Sequence, residues 1–381
     1  MTPDMKNIFE FATKELSQDA FLRWLFENYN CGDSQVRAAC RRLFDSFTDG
    51  STDGKLDFDK IENLKTVAQW KSIDVAIWFD IGDKNYLIVI EDKTFTSDQN
   101  NQLQRYKDAI REHNEWWRAN AAAEESKKHA IERYIKDGEV FYIFYKTDVM
   151  EPDEEKRIRG LDWEVYDIEK IARLFMPLPH GENDLLDDYI RHIQTLHNAA
   201  RHEGDPSKWE LIAWHAFFIE YKNEITSRQG ETTPGRRCPV AVDINHHQNS
   251  YFYIKFMAPG HEKDRPGLEL RSRDYNAGEH TWHASVNVYS VDPRPSMEQI
   301  GRWQKALTDI RENIASRRTP GAPGEKDELT HTGEDIKLNH RKDPESFQQI
   351  GHISFPVEGD TGAALRAVLD RALDLFCDLY C

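Results

Sequence analysis

The order of apolar patterns along the chain predicts an α/β domain, a mixed sheet flanked by helices, followed by a C-terminal α+β domain. Two runs rich in β-branched and aromatic residues, 72–80 (SIDVAIWFD) and 86–93 (YLIVIEDK), flank a break containing Gly82 and Asn85, which marks a β-hairpin. Helical periodicity precedes the hairpin, and a long helical stretch follows it before two further strand patterns. The 381 residues suffice for two or three domains.

Phe9, Ala12, Leu16, Ala20 and Trp24 recur at intervals of three and four and predict a helix over 5–29. Ser17 can cap, which predicts a kink near Leu16 and Ser17. A second helix is expected over 35–47 and a polar loop over 49–57. Both hairpin runs are nearly continuous in apolar residues, so burial on both faces is expected. A helix over 98–133 then leads to strands at 139–146 (EVFYIFYK) and 163–167 (WEVYD), completing a first domain over 1–180. A helical connector is expected over 181–207, bounded by prolines and by Gly204, Asp205 and Pro206. The accessory domain, 208–381, reads as a helix at 209–225 and strands at 238–245, 250–258, 266–273 and 281–290. A helix at 295–317, a Pro/Gly tract at 319–324, a strand at 350–355 and a helix at 361–379 follow.

No stretch approaches the ~20 apolar residues of a membrane-spanning helix, and the N-terminal residues lack a secretory pattern. The five cysteines are scattered with no C-x-x-C pair, so a reducing, cytoplasmic setting is expected. The net charge is −17 and neither half of the chain is net basic, which counts against tight nonspecific DNA binding. It leaves a metal-dependent nuclease open, because a bound divalent ion reverses the local sign.

The hairpin carries the chemistry. Asp74 begins its first strand; Glu91 and Lys93, two apart and so on one face, end its second. With Ile81 near Tyr86, the register sets Asp74 opposite residues 92–93, a diagonal step from Glu91. Two carboxylates and an ammonium thus converge at one end of an apolar hairpin. Such carboxylates need a counter-charge, and hard oxygen donors suit Mg²⁺, with Mn²⁺ as substitute. The backbone carbonyl of Asp92 is the expected third ligand, and Lys93 is placed to orient or deprotonate an attacking water.

Asp74 followed by Glu91, Asp92 and Lys93 resembles the D…(D/E)-x-K signature of the PD-(D/E)XK nuclease superfamily. Residues 15–22 (ELSQDAFL) resemble the E-L-S-x-x-A-F-L first helix of one bacterial branch. Lys71 resembles its basic residue ahead of I-D, and Gln102, Leu103 and Tyr106 its Q-L-x-x-Y helix. The similarity covers about residues 8–110; Ile73 stands where the superfamily's name has proline. The resemblance implies a restriction-endonuclease-like core and a Mg²⁺-dependent enzyme acting on DNA, or in some members on RNA. It implies that Glu15 supports the metal directly or through water and that Gln102 faces the site. A homodimer with two sites would cut both strands in one event. Roles in restriction, repair or antiviral defence follow by analogy alone.

Other readings compete. One alternative is a catalytically silent scaffold for a sensor or binding protein; another is that Asp74, Glu91 and Lys93 form a structural ion-pair cluster. Residues 49–60 (DGSTDGKLDFDK) match a calcium-binding loop in part, but its twelfth place needs a bidentate Glu and holds Lys60, so an acidic loop is expected. His246, His247, His261, His280 and His283 lack zinc-ligand spacing. Trp116 and Trp117 are expected in the core or docked on the second domain. Arg236, Arg237, Arg271 and Arg273 read mainly as solvated charge.

Overall fold

Five strands build the first sheet: β1 (Ile61–Trp70), β2 (Ile73–Ile81), β3 (Lys84–Lys93), β4 (Val140–Lys146) and β5 (Glu164–Tyr166), lying side by side in that order. β1, β2 and β3 are antiparallel neighbours, whereas β3, β4 and β5 run parallel. The computed structural model describes residues 7, 9, 15–96, 101–124 and 139–227. Beyond these it describes strand segments 231–233, 236–237, 241–247, 251–257, 266–276, 281–290 and 348–356, with isolated residues at 301–308 and 362–374.

β2 and β3 are buried along nearly their whole length, as their continuous apolar sequence predicts. Strand alternation divides their side chains between two cores. Ala76, Trp78, Leu87 and Val89 meet Phe144 and the Leu103, Tyr106 and Ile110 stripe of α3 (Gln102–Glu124). On the opposite face, Phe79 packs edge-on against Phe44 and stacks on Tyr86. Phe44 belongs to α2 (Ser34–Phe47), whose first turn is capped by Asp33 accepting from the Val36 N–H. Phe26, from α1 (Glu15–Glu27), closes on Phe44 with ring centroids 4.8 Å apart.

Three elements of the first unit escaped the sequence pattern. β1 is partly exposed, and an irregularity between Glu62 and Lys65, with Asn63 at φ +50, breaks its alternation. α4 (Pro152–Arg159) and α5 (Ile168–Phe175) are eight residues each, too short for a sustained helical period. α6 (Asp184–Ala199) falls within the helical connector expected over 181–207; its Tyr189 stacks on Phe21 of α1 at 3.8 Å and shares a 2.9 Å hydroxyl contact with Tyr145 of β4. The acidic loop is a clip: Asp53 pairs with Lys84 and accepts from the Tyr86 hydroxyl, while Glu139 accepts from the Thr52 N–H. Trp116 is 51% exposed, not in the core, and the side chain of Trp117 lies outside the described residues.

The chain divides into compact units over 1–198 and 199–381. The second holds α7 (Leu211–Ser227), β6 (Glu231–Thr233), β7 (Arg236–Arg237), β8 (Ala241–His247), β9 (Tyr251–Met257), β10 (Pro266–Asn276), β11 (Thr281–Ser290) and β12 (Gln348–Pro356). β8 to β12 form an antiparallel five-stranded sheet. The helix expected at 295–317 and the tract at 319–324 fall largely or wholly outside the described residues, as do the side chains of the histidine and arginine groups noted above. Among the described residues no helix is long and apolar enough to cross a membrane.

Candidate active site

The hairpin turn is tighter than the sequence suggested. Ile81 pairs with Lys84, leaving a two-residue turn of Gly82 and Asp83, with Gly82 at φ +61. The expected pairing of Ile81 with Tyr86 is therefore corrected by two residues, an even shift that preserves every facing. Val75 pairs with Ile90, so one step further Asp74 comes level with Glu91 rather than diagonal to it. Asp74, Glu91 and Lys93 share the α3 face, in sequence with Ala76, Trp78, Leu87 and Val89.

Glu91 is completely buried and Lys93 is 7% exposed. The Lys93 ammonium bonds Glu91 Oε1. Glu91 Oε2 is buried and has no hydrogen-bond partner. Burial, and then the neighbouring Asp74 carboxylate, push Glu91 from the usual 4.5 up to about 8, against the pull of Lys93. Desolvation outweighs the single ammonium, so this carboxyl ionises less readily than an exposed one.

Asp74 is partly exposed and held from two sides. Its Oδ2 accepts the Asp92 backbone N–H at 3.0 Å, and its Oδ1 accepts Gln69 Nε2 at 3.2 Å. Gln69, near the end of β1, and Lys71 and Ser72, in the turn between β1 and β2, all have left-handed φ, at +54°, +52° and +68°. The Tyr106 hydroxyl anchors that turn by donating to the Ser72 carbonyl. Gln102 Nε2 donates to the Tyr106 oxygen at 2.6 Å, so Gln102 is tied to this relay. Burial and the Glu91 charge push the Tyr106 hydroxyl up, which keeps it a donor. Lys71 is exposed, its ammonium 5.6 Å from the centre of the Trp70 ring.

Asp92 points its side chain the other way, towards α1, where Gln18 Nε2 donates to its Oδ1. Its backbone belongs to the site. The Lys93 carbonyl accepts from the Thr147 N–H on the β4 side at 3.0 Å. Backbone groups alternate along a strand, so the Asp92 carbonyl faces the β2 side, as its N–H does. Glu15 is the first residue of α1; its side chain lies outside the described residues.

The donor chemistry fits a hard divalent cation: two neighbouring carboxylates, one with an unpartnered buried oxygen, and a carbonyl facing the same strand. Among the described residues no group of three or more His, Cys, Asp or Glu side chains forms a metal cluster. Gln18, Gln69 and a buried Lys146–Glu154 pair were absent from the sequence-predicted site. Gln18 had a signal, lying one turn beyond Glu15, and Lys146 ends an apolar strand as Lys93 does. Gln69 had none, because its side chain is aimed by an irregular turn.

The family model described as the PD-(D/E)XK nuclease superfamily matches residues 6–223, more than half of the chain. A search of curated proteins and a search of solved structures each give no match. The mixed five-stranded sheet flanked by helices agrees with the restriction-endonuclease-like core expected from the sequence. Nucleases of this group generally use divalent metal ions, and membership supports a nuclease-type activity. On the extent of that match and the sheet that carries it, the chain belongs to the PD-(D/E)XK nuclease superfamily.

Proposed function

We propose that this protein is a Mg²⁺-dependent nuclease that hydrolyses phosphodiester bonds in DNA. The observation that carries the reading is the buried, unpartnered Glu91 Oε2 beside the Asp74 carboxylate. Setting a buried carboxylate against a second carboxylate is costly unless a cation joins them. Asp74, Glu91 and the Asp92 carbonyl would hold Mg²⁺, or Mn²⁺ in its place, with Glu15 supporting it from α1. When bound, the ion supplies Lewis-acid polarisation of a phosphoryl oxygen and a lowered water pKa.

The chain's own groups do the positioning. Lys93 Nζ, held on Glu91 Oε1, orients the attacking water as an ammonium donor, and would take the water's proton only in its neutral amine form. Gln69 and the Asp92 N–H fix both oxygens of Asp74. Gln102 acts through Tyr106 and the Ser72 carbonyl, fixing the turn that enters β2. A homodimer would present two such sites to the two strands of a duplex.

The test is cleavage of plasmid, single-stranded DNA and RNA in parallel, with Mg²⁺, Mn²⁺ or EDTA. Mg²⁺-dependent cutting of DNA is expected, with Lys93→Met about 10²- to 10⁴-fold slower. A folded parent that cuts none of these substrates, or a Lys93→Met variant as fast as the parent, rejects the mechanism. Cutting of RNA alone would reassign the substrate. Sedimentation velocity tests the dimer.

A further inference from the structure

A second ion pair, with a buried lysine and a largely buried glutamate, stands beside the first. Lys93 at the end of β3 is in register with Lys146 at the end of β4. In a parallel pair, residues in register point the same way, so both lysines rise from the α3 face about 4.8 Å apart at the backbone. Lys146 is 2% exposed and bonds Glu154 of α4 at 2.9 Å. The other Glu154 oxygen, Oε1, is buried and has no hydrogen-bond partner.

A structural role explains this pair poorly. Buried ion pairs stabilise a fold less than apolar side chains of the same volume, and a half-satisfied carboxylate is costlier still. Phe144, two residues earlier on the same face, shows that the site accepts apolar packing. What the pair does supply is a fixed positive charge on the β4 side of Lys93. Buried charges are little screened. Lys93 therefore has an attractive carboxylate, Glu91, two residues back along its own strand and a second ammonium, Lys146, beside it on β4. Glu154 pairs with Lys146 from α4.

We propose that Lys146 is a positioning residue, and Glu154 its holder: the pair confines the Lys93 ammonium to the Glu91 side, where the reaction needs it. The assignment rests on the nuclease reading for its consequence, but its physical content is the order of one side chain.

The test uses the full-length chain with Lys146→Met/Glu154→Leu, an apolar replacement that such buried sites usually tolerate. The first readout is ¹⁵N relaxation of the Lys93 Nζ resonance in metal-free protein, assigned by its loss in Lys93→Arg. The second is steady-state cleavage of DNA in Mg²⁺. In the double variant the Lys93 ammonium becomes more mobile, and kcat falls about 10- to 100-fold at nearly constant KM. Lys146→Arg keeps parent values in both. Lys146→Gln, which removes the charge but still donates to Glu154, gives the double variant's two results and replaces it if the apolar pair fails to fold. An unchanged Lys93 order, or a kcat within about twofold of the parent, overturns the assignment. A parent that does not cleave is a separate failure, of the nuclease reading, and Lys93 order then decides alone.

Discussion

Glu91 is a carboxyl that folding has made reluctant to ionise. Its folded value of about 8 lies above the usual 4.5 because burial and Asp74 penalise the anion. The folded state therefore binds more protons than the unfolded chain between those two values. Its contribution to stability is complete below about pH 4.5 and is lost as pH rises through about 8. In EDTA, thermal midpoints should fall from pH 5 to pH 8, and Glu91→Gln should flatten that slope. Mn²⁺ competes with the same proton, so its affinity, read by calorimetry, should rise over the same interval and vanish in Glu91→Gln. A flat parent profile in EDTA would contradict the burial argument.

At the scale of elements, the site depends on how α1, α3 and the β1–β2 turn are pinned to β3. Gln18 is the pin from α1, donating to the buried Asp92 carboxylate directly behind the metal-facing backbone. A hydrogen bond to a charged group contributes about 1.5–3 kcal/mol. Gln18→Ala should lower unfolding stability by about that amount in urea titration, with the m-value unchanged. It should also weaken Mn²⁺ binding, since the Asp92 carbonyl loses its backing. From α3 the pin is Tyr106, which holds a turn of two left-handed, non-glycine residues, Lys71 and Ser72, that would otherwise relax.

Across the whole molecule, charge decides how nucleic acid is met. A chain of net charge −17 repels a polyanion. The site's ammonium groups are internally paired, Lys93 with Glu91 and Lys146 with Glu154. Without divalent ion, duplex DNA should bind no tighter than about 10⁻⁴ M at physiological salt, the weak end of nonspecific binding. Fluorescence anisotropy in EDTA measures this; Ca²⁺ or Mn²⁺ should restore affinity by reversing the local sign. Micromolar binding in EDTA would place the recognition surface elsewhere. The second unit has its own antiparallel sheet and a core that includes Trp214, Phe217, Ile254 and Phe256, and is of a usual domain size.

Sequence by itself determined the hairpin, the buried strands β3 and β4, helices α2, α6 and α7, and the shared facing of Glu91 and Lys93. These follow from local periodicity, which a single strand or helix displays on its own. It also carried the family, because Asp74, Glu91 and Lys93 keep fixed spacings. Tertiary structure alone decided that Asp74 stands level with Glu91, since the length of the turn sets the register. It alone brought Gln69 to Asp74 and Gln18 to Asp92, and set Lys146 beside Lys93 across 52 residues of intervening chain. The irregular, partly exposed β1 and the two-turn helices α4 and α5 were equally unreadable, because their form comes from what they pack against.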